Sequence, residues 1–450
     1  MAAGLPSSNL KSTYVEGQSY KMPLVVVTNL FFIWAFVTNL NDVLIPYLKK
    51  ACQLTDFQSS LVQFSFFIAY FIMSIPSAGI IKRVGYKRAM LIGLLCMLLG
   101  ALLFIPAAIT GIYFVFLAAL FILASGVTLL QVAANPYVTI LGKPETASAR
   151  LNLTQAFNSL GATVGPWIGG TLILSALTEE QFSLLSEAEK IASQEEQSAM
   201  VVMTYVGLAA VILLISAIIY FSKLPEIGVE EETTTDAVDD KTNIFTHRHL
   251  LLGVVSIFLY VGAEVAIGSF IIRLAGDPAI GGLTELEGKN FVSYYMFFAM
   301  VGRFAGSYFL SKISPSKVVG FNALVAVALL FVGVFTSGTL ALYSIVLIGL
   351  CNSIMFPTIF TLAIKDLGSF AKQGSSYLVM AIVGGAFVPP LMGYVSGLQG
   401  IQKAFLVPVA CYVFIAFYGF KGSKVNALVA HENSKADADS AESMAKEIPV

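Results

Sequence analysis

The stretch KMPLVVVTNLFFIWAFVTNLNDVLIPYLKK, residues 21–50, decides the fold of this chain. At about 1.5 Å per residue, its apolar interior is long enough to span a hydrocarbon core of roughly 30 Å as a helix. Asn39, Asn41 and Asp42 lie in the outer half of this predicted helix. A carboxylate inside a bilayer costs about 2.5–3.5 kcal/mol, so we expect Asp42 to serve a proton, an ion or a polar substrate. The alternative is an interfacial Asp42 that is capped by water near the helix end.

The rest of the chain has the composition of a multi-pass membrane protein. Of its 450 residues, 57% are hydrophobic and 12% are charged, whereas a soluble domain averages about 25% charged residues. Apolar segments too long for β-barrel strands recur as far as Phe420, which predicts an all-α membrane protein with twelve transmembrane helices. The predicted spans are residues 22–47, 57–80, 89–108, 112–141, 151–176, 199–222, 250–273, 291–311, 317–336, 340–364, 374–396 and 402–420.

The spans divide into two pseudo-symmetric halves of six helices. Lysines at 82 and 87 follow the second span of one half, and lysines at 312 and 317 follow the second span of the other. Such a repeat is typical of duplicated transporter folds. The predicted organisation is an N-terminal tail at 1–21, a six-helix bundle at 22–222, a linker at 223–249, a six-helix bundle at 250–420 and a C-terminal tail at 421–450.

The basic residues predict the orientation of the chain. Most of the 26 Lys and Arg fall in tails and loops on one side of the predicted membrane. By the positive-inside rule, that side is cytoplasmic. Both termini are therefore expected in the cytoplasm, which agrees with an even number of spans.

Polar side chains inside the spans are few and clustered. Among the 27 acidic residues, only Asp42 and Glu264 lie well inside spans, and such groups mark substrate or ion pathways by default. Amide side chains at helical spacing offer the paired donors and acceptors that sugar hydroxyls need. The alternative role for each amide is a hydrogen bond between helices. The predicted substrate-binding residues are Asn39, Gln131, Asn135, Gln155, Asn158, Glu264 and Asn352.

Two further groups leave their roles open at this stage. Glu264 is either a second ligand or ion site, or half of a structural pair with Arg303 or another neighbour. Arg303 itself either extends its charged group towards the membrane–water interface or forms a salt bridge that closes a gate of the transport pathway. Aromatic residues are candidates for stacking on the apolar face of a sugar, although most membrane aromatics only pack: Trp34, Phe66, Tyr70 and Phe297.

The sequence also argues against several classes of protein. The four cysteines are scattered among apolar segments and predict neither a disulfide framework nor a metal site. No nucleotide-binding loop or catalytic set is found, so we expect neither an enzyme nor an ATP-driven pump. No cofactor is expected beyond a coupling ion, H⁺ or Na⁺. The expected partners are a small-molecule sugar and membrane lipid, with no nucleic acid and a monomeric state.

Several stretches of the chain resemble a known transporter family. Gly79–Arg88 (GIIKRVGYKR) resembles the cytoplasmic loop motif of the major facilitator superfamily, with Lys82 where an Asp is usual. The segments NLND at 39–42, AANPYV at 133–138 and YVGAE at 260–264 are similar to the fucose/glucose/galactose symporter family. The similarity runs from about residue 22 to residue 420.

The resemblance implies a function and roles for two residues. It implies a cation-coupled hexose transporter of the bacterial inner membrane, in which Asp42 carries the coupling proton. Fucose permeases have a Glu where this chain has Gln131, which implies glucose, galactose or an amino sugar as substrate. Sodium coupling, and N-acetylglucosamine or fucose as substrate, stay open. The rival functions are a drug or metabolite exporter and a channel or receptor-like protein that does not pump.

Overall fold

The computed structural model describes residues 20–51, 56–173, 186–225 and 244–425. Almost all of these residues are helical, and none of them forms a strand. The tails and linker of the predicted organisation lie mostly outside the described residues. The α-helices are α1 Lys21–Ala51, α2 Asp56–Thr110, α3 Tyr113–Ile140, α4 Ala147–Ile173, α5 Glu187–Phe221, α6 Arg248–Gly276, α7 Glu285–Leu310, α8 Pro315–Phe335, α9 Gly338–Asn352, α10 Met355–Ala363, α11 Ala371–Met380, α12 Gly384–Gln399, α13 Ile401–Ala404 and α14 Leu406–Phe417.

Helix α2 contains two predicted spans. Its 55 residues would be about 80 Å long as one straight helix, far more than a bilayer core of roughly 30 Å. The break is at Gly85, whose φ of 79° and ψ of 172° are not helical. Glycine adopts positive φ without the steric cost of a Cβ. The two arms match the spans predicted at 57–80 and 89–108.

The last three predicted spans are each built from shorter helices. The span predicted at 340–364 consists of α9 and α10, which are separated at Ser353 and Ile354. The span predicted at 374–396 consists of α11, a 3₁₀ turn and α12. The last span consists of α13, α14 and a π-helical turn at Tyr418–Gly422. With α2 counted as two, the described helices account for all twelve predicted spans.

Nine stretches of the described chain are long and apolar enough to cross a membrane. One of these, Phe64–Thr110, is 47 residues long and includes parts of both arms of α2. Helices α4 and α7 are not among the nine. Both carry polar side chains within their spans, such as Gln155 and Asn158 on α4 and Arg303 on α7.

The described chain falls into two compact units. The N-terminal unit comprises residues 21–134 and 153–225, and the C-terminal unit comprises residues 135–152 and 244–425. In the N-terminal unit, α5 packs against α2 and α1. In the C-terminal unit, α6 packs against α12, α10 and α7, while α8 packs against α9 and α14. The predicted boundaries of the two bundles remain a prediction.

Hydrogen bonds fix the ends of several helices. Arg150, near the start of α4, donates to the backbone oxygens of Lys143 and Thr139, each at 2.7 Å, and so caps the end of α3 with a cation. At the start of α5, Ser186 and Glu189 form a capping box. Hydrogen bonds from the side chain and backbone of Ser186 lower the pKa of the exposed Glu189 carboxyl.

Candidate functional site

A buried hydrogen bond joins two helices of the N-terminal unit. The hydroxyl of Tyr70, on α2, accepts a hydrogen bond of 2.9 Å from Nε2 of Gln131 on α3. The side chain of Thr38, on α1, lies near the same hydroxyl. The Thr38 hydroxyl donates to the backbone oxygen of Trp34 at 2.7 Å. Tyr70 and Gln131 are buried, so their hydrogen bond ties α2 and α3 together inside the unit.

The direction of the Gln131–Tyr70 bond follows from the chemistry of the two groups. Nε2 of an amide carries protons and no lone pair that can accept, so Gln131 donates and the hydroxyl of Tyr70 accepts. The second Nε2 proton and the Oε1 of Gln131 are not used in this bond. Gln131 is thus held in one orientation by a neighbour while it keeps a donor and an acceptor.

Asn158 lies where α4 packs closely on α1. Its Nδ2 donates to the backbone oxygen of Phe31 at 3.0 Å. Further along the same face, a Cβ at Gly165 would lie 2.7 Å from the backbone oxygen of Phe36, and Gly161 is packed as tightly against α1. Small residues at this spacing let two membrane helices approach backbone to backbone. The half-buried Asn158 therefore has one amide proton engaged in packing, while its Oδ1 takes no part in that bond.

Asp42 belongs to α1, but its side chain is outside the described ones. Helix α1 continues without interruption to Ala51, so position 42 follows Thr38 by one helical turn. The neighbouring Asn39 is half-buried, and its Nδ2 donates to the backbone oxygen of Ala35 at 2.8 Å. The predicted coupling residue is therefore placed on the same helix as Thr38, one turn further along.

The remaining amides predicted in the first six spans are buried. Asn135 follows Gln131 by four residues on α3, and Gln155 precedes Asn158 by three residues on α4. Both Asn135 and Gln155 take part in polar contacts within the protein. Their predicted contact with substrate remains a prediction.

In the C-terminal unit, Asn352 is surrounded by tyrosines. Its Nδ2 donates to the hydroxyl of Tyr295 at 2.6 Å, and its Oδ1 accepts from the hydroxyl of Tyr412 at 2.6 Å. Its backbone oxygen accepts from the hydroxyl of Tyr260 at 3.1 Å. Asn352 is 0% exposed. Both ends of the amide therefore hold α7, α9 and α14 together, and its predicted contact with substrate stays a prediction.

Glu264 and Arg303 form a pair beside this cluster. Oε1 of Glu264 accepts from the hydroxyl of Tyr260 at 2.7 Å and lies 3.9 Å from a terminal nitrogen of Arg303. Nε of Arg303 donates to the backbone oxygen of Ser353 at 3.2 Å. That oxygen has no helical partner because Pro357, four residues later, has no N–H. Arg303 therefore binds both a carboxylate and the carbonyl released at the break between α9 and α10.

The segment 135–152 is bound to the same unit by hydrogen bonds near Arg303. Nδ2 of Asn152 donates to the backbone oxygen of Arg303 at 2.6 Å and to the hydroxyl of Ser307 at 3.0 Å. Ser148 and Thr361 share a hydrogen bond of 2.6 Å. These bonds connect the start of α4 to α7 and α10. Neither Asn152 nor Ser148 could be identified from the sequence, because their partners lie more than 150 residues away.

The structure also shows what the predicted aromatic residues do. The ring of Tyr70 packs on Phe66 with 5.5 Å between centroids, and Trp34 packs on Phe31 at 4.2 Å. Phe297 is 54% exposed on α7. Tyr70 was therefore identified from the sequence as an aromatic ring that could stack on a sugar. The role of its hydroxyl, which orients Gln131, was not identified. Among the described residues, no three His, Cys, Asp or Glu side chains lie close enough to hold a metal.

Comparison with known proteins gives consistent matches over most of the chain. The sequence profile of the Major Facilitator Superfamily matches residues 27–381. The chain is 48% identical over 425 residues to the glucose/galactose transporter of Brucella abortus, covering 94% of this chain and 100% of that protein. It is 37% identical over 412 residues to the L-fucose-proton symporter of Escherichia coli, covering 90% of this chain and 93% of that protein. A crystal structure of the E. coli fucose:proton symporter has a TM-score of 0.83 at 35% identity, covering 91% of this chain and 100% of that chain.

These matches bear on several predictions from the sequence. The predicted fold class is confirmed, because the helices match those of a solved transporter along nearly its full length. The relatives are named as transporters, which confirms the prediction that the chain is not an enzyme. The chain is a multi-pass membrane protein, and it belongs to the major facilitator superfamily.

Proposed function

We propose that this protein is a secondary active transporter that couples uptake of a sugar to a cation. The relatives named glucose/galactose transporter and L-fucose-proton symporter, at 48% and 37% identity, support cation-coupled sugar symport. The substrate is a hexose, glucose or galactose, and the cation is a proton. The protein resides in a bacterial inner membrane as a monomer, with both termini in the cytoplasm and no cofactor.

The buried hydrogen bond from Gln131 to Tyr70 is the observation that carries this proposal. Such a bond fixes the orientation of an amide before any ligand arrives, which reduces the entropy lost on binding. The unused donor and acceptor of Gln131 suit a pair of neighbouring sugar hydroxyls, because each hydroxyl both donates and accepts. Oδ1 of Asn158 adds an acceptor in the same unit. Asn39, Asn135 and Gln155 are each proposed to bind the sugar.

Asp42 is proposed as the proton carrier. Its position is one turn after Thr38 on α1, and the side chain of Thr38 lies near the Tyr70 hydroxyl that orients Gln131. Coupling requires that the protonated protein binds sugar more tightly. By thermodynamic reciprocity, bound sugar then raises the proton affinity by the same factor. Transport follows by alternating access, in which the bound sugar is exposed first to one side of the membrane and then to the other.

In the C-terminal unit, Glu264 and Asn352 are proposed to have two different roles. Glu264 is the candidate ligand that keeps some exposure, 26%, beside Arg303. Both amide ends of Asn352 are bound to tyrosines. Asn352 is therefore proposed to influence substrate binding indirectly, by positioning the helices around the break at Ser353. Glu264 is proposed to contact the sugar while its charge is balanced by Arg303.

Uptake into membrane vesicles tests the proposal. Radiolabelled glucose, galactose, fucose and N-acetylglucosamine are supplied separately, once with a pH gradient and once with a sodium gradient. We expect accumulation of glucose or galactose that needs the pH gradient and that an uncoupler abolishes. Accumulation driven by the sodium gradient alone would show that the coupling ion is sodium and not a proton. Fucose as the preferred sugar would overturn the role given to Gln131.

The same vesicles separate the proposal from its rivals of other classes. Equilibration of sugar without accumulation would indicate a channel, and extrusion of sugar or drug would indicate an exporter. Vesicles carrying the Asp42→Asn variant provide the matched control, because this change removes one titrating group and alters the side chain volume very little.

A further inference from the structure

A cleft of about 420 Å³ opens on the C-terminal unit between α7, α8 and the junction of α9 with α10. Its inner wall consists of Gly302, Ala305 and Gly306 on α7. These residues are small because α7 touches the α9–α10 junction here: a Cβ at Gly302 would clash with Ser353, and one at Gly306 would clash with Ile354. The cleft lies beside this contact. Its volume is within the range of roughly 300–1,000 Å³ that small-molecule sites occupy.

The walls of the cleft are apolar and face outward. Phe309, Ile313 and Phe321 line it and are exposed, Phe321 by 64%. In a chain that crosses a membrane, exposed apolar side chains on long hydrophobic helices contact lipid. The polar lining residue Asn322 turns its Nδ2 to the backbone oxygen of Cys351 at 3.4 Å. The interior of the cleft therefore suits a hydrocarbon chain.

One end of the cleft carries positive charge. Lys317 lines it and lies in the first turn of α8, which begins at Pro315. Lys312 lies in the short turn between α7 and α8, above the ring of Tyr308 at 4.8 Å. Both lysines stand where the apolar helices end, at the depth of lipid headgroups. Basic pockets between helices at this depth suit anionic headgroups.

We propose that the cleft binds an anionic phospholipid. One acyl chain lies along Gly302, Ala305 and Gly306, between Phe309 and Phe321, and the phosphate is bound by Lys317 with Lys312. The match between apolar walls and a basic rim selects this occupant over an uncharged lipid, which would fill the cleft without using the lysines. The orientation predicted from the basic residues places the lipid in the cytoplasmic leaflet.

The position of the cleft gives the bound lipid a structural effect. The inner wall of the cleft is the contact of Gly306 with Ile354, and Nδ2 of Asn152 lies 3.3 Å from the position of a Cβ on Gly306. An acyl chain in the groove supports this contact from the lipid side. Bound lipid therefore stabilises the junction of α9 with α10 and raises the temperature at which the protein unfolds.

Native mass spectrometry of the purified full-length protein tests the proposal. The protein is titrated with phosphatidylglycerol or phosphatidylcholine that have identical acyl chains. We expect phosphatidylglycerol to bind more tightly and to raise the melting temperature more. Lys317→Gln should weaken phosphatidylglycerol binding about fivefold, the usual effect of one lysine near a membrane surface, and should leave phosphatidylcholine binding unchanged. Lys421→Gln, an exposed lysine outside the cleft, is the matched control and should have no effect.

A second variant tests the cleft independently of charge. Ala305→Trp should fill the groove and remove the bound lipid, whereas Ala210→Trp, at an exposed position on α5, should not. Equal binding of the two lipids, or no effect of Lys317→Gln, would overturn the basic rim as the headgroup site. Unchanged phosphatidylglycerol binding by Ala305→Trp would overturn the cleft as the acyl site. A stable dimer that hides Ala305 from lipid would show that a second copy, not a phospholipid, is the occupant.

Discussion

Replacing Tyr70 by Phe tests whether the Tyr70 hydroxyl orients Gln131 for sugar binding. The change removes one oxygen and keeps the ring that packs on Phe66. The Nε2 group of Gln131 then loses the hydroxyl that accepts its hydrogen bond. A buried donor without a partner costs about 1–3 kcal/mol. If that whole cost appears in binding, sugar affinity falls by about five- to 150-fold.

The measurement is sugar binding to purified protein by calorimetry, together with thermal unfolding of the same samples. Tyr205→Phe is the matched control, because Tyr205 is buried in the same unit and stacks on Phe104 with 4.1 Å between centroids. Both variants lose one buried hydroxyl. We expect weaker sugar binding only for Tyr70→Phe, while the control binds sugar as the wild type does.

A double-mutant cycle with Gln131→Met makes the reasoning refutable. If Tyr70 acts through Gln131, the double variant binds sugar no more weakly than Gln131→Met alone. Coupling between groups in direct contact is typically about 0.5–3 kcal/mol. Wild-type affinity in Tyr70→Phe, or fully additive losses in the double variant, would refute the orienting role of the hydroxyl.

Three further predictions concern the charged and amide groups. Asp42→Asn should abolish accumulation against a gradient but retain sugar exchange; concentrative uptake by this variant would refute its role. Gln131→Glu should shift competition profiles towards fucose, because an ionised carboxylate only accepts hydrogen bonds; an unaltered profile in folded protein would contradict contact with the sugar. Glu264→Gln should lower the melting temperature, because Arg303 is 12% exposed and a buried charge without its partner is unfavourable; an unchanged melting temperature would show that the pair contributes no stability.

The spans of this protein were predictable from its sequence, whereas the breaks within them were only partly so. Apolar length predicted every helix region, since a membrane span needs about 20 apolar residues whatever packs around it. Pro357 signals a disrupted helix near Ser353. The group that accepts the released carbonyl of Ser353 is Arg303, 50 residues earlier. No local pattern links these two residues, because their contact exists only after α7 packs on α9.

The candidate site was predictable in its residue types but not in its partners. Gln131 and Asn158 stand out because amides are rare inside apolar spans. Asn352 stands out for the same reason, yet it lies among tyrosines with both amide ends engaged. An amide that faces a cavity and an amide that faces other helices look alike in sequence, because both replace an apolar residue at the same depth. Tyr70 shows the converse, since a tyrosine in an apolar helix does not reveal where its hydroxyl bonds.

The strengths of the contacts around Arg303 indicate which of them can change during transport. Asn152 and Ser148 attach segment 135–152 to α7 and α10 through three hydrogen bonds between neutral groups, each worth about 0.5–1.5 kcal/mol net. A ligand can offset a sum of that size by its differential affinity for two conformations. The pair of Arg303 with Glu264 is different, because Arg303 is only 12% exposed and removing the partner of a buried charge costs about 3–5 kcal/mol, more than breaking any one of the three neutral bonds. We therefore expect α6, α7 and the α9–α10 junction to move together around Arg303, and the bonds of Asn152 and Ser148 to be those that break and re-form.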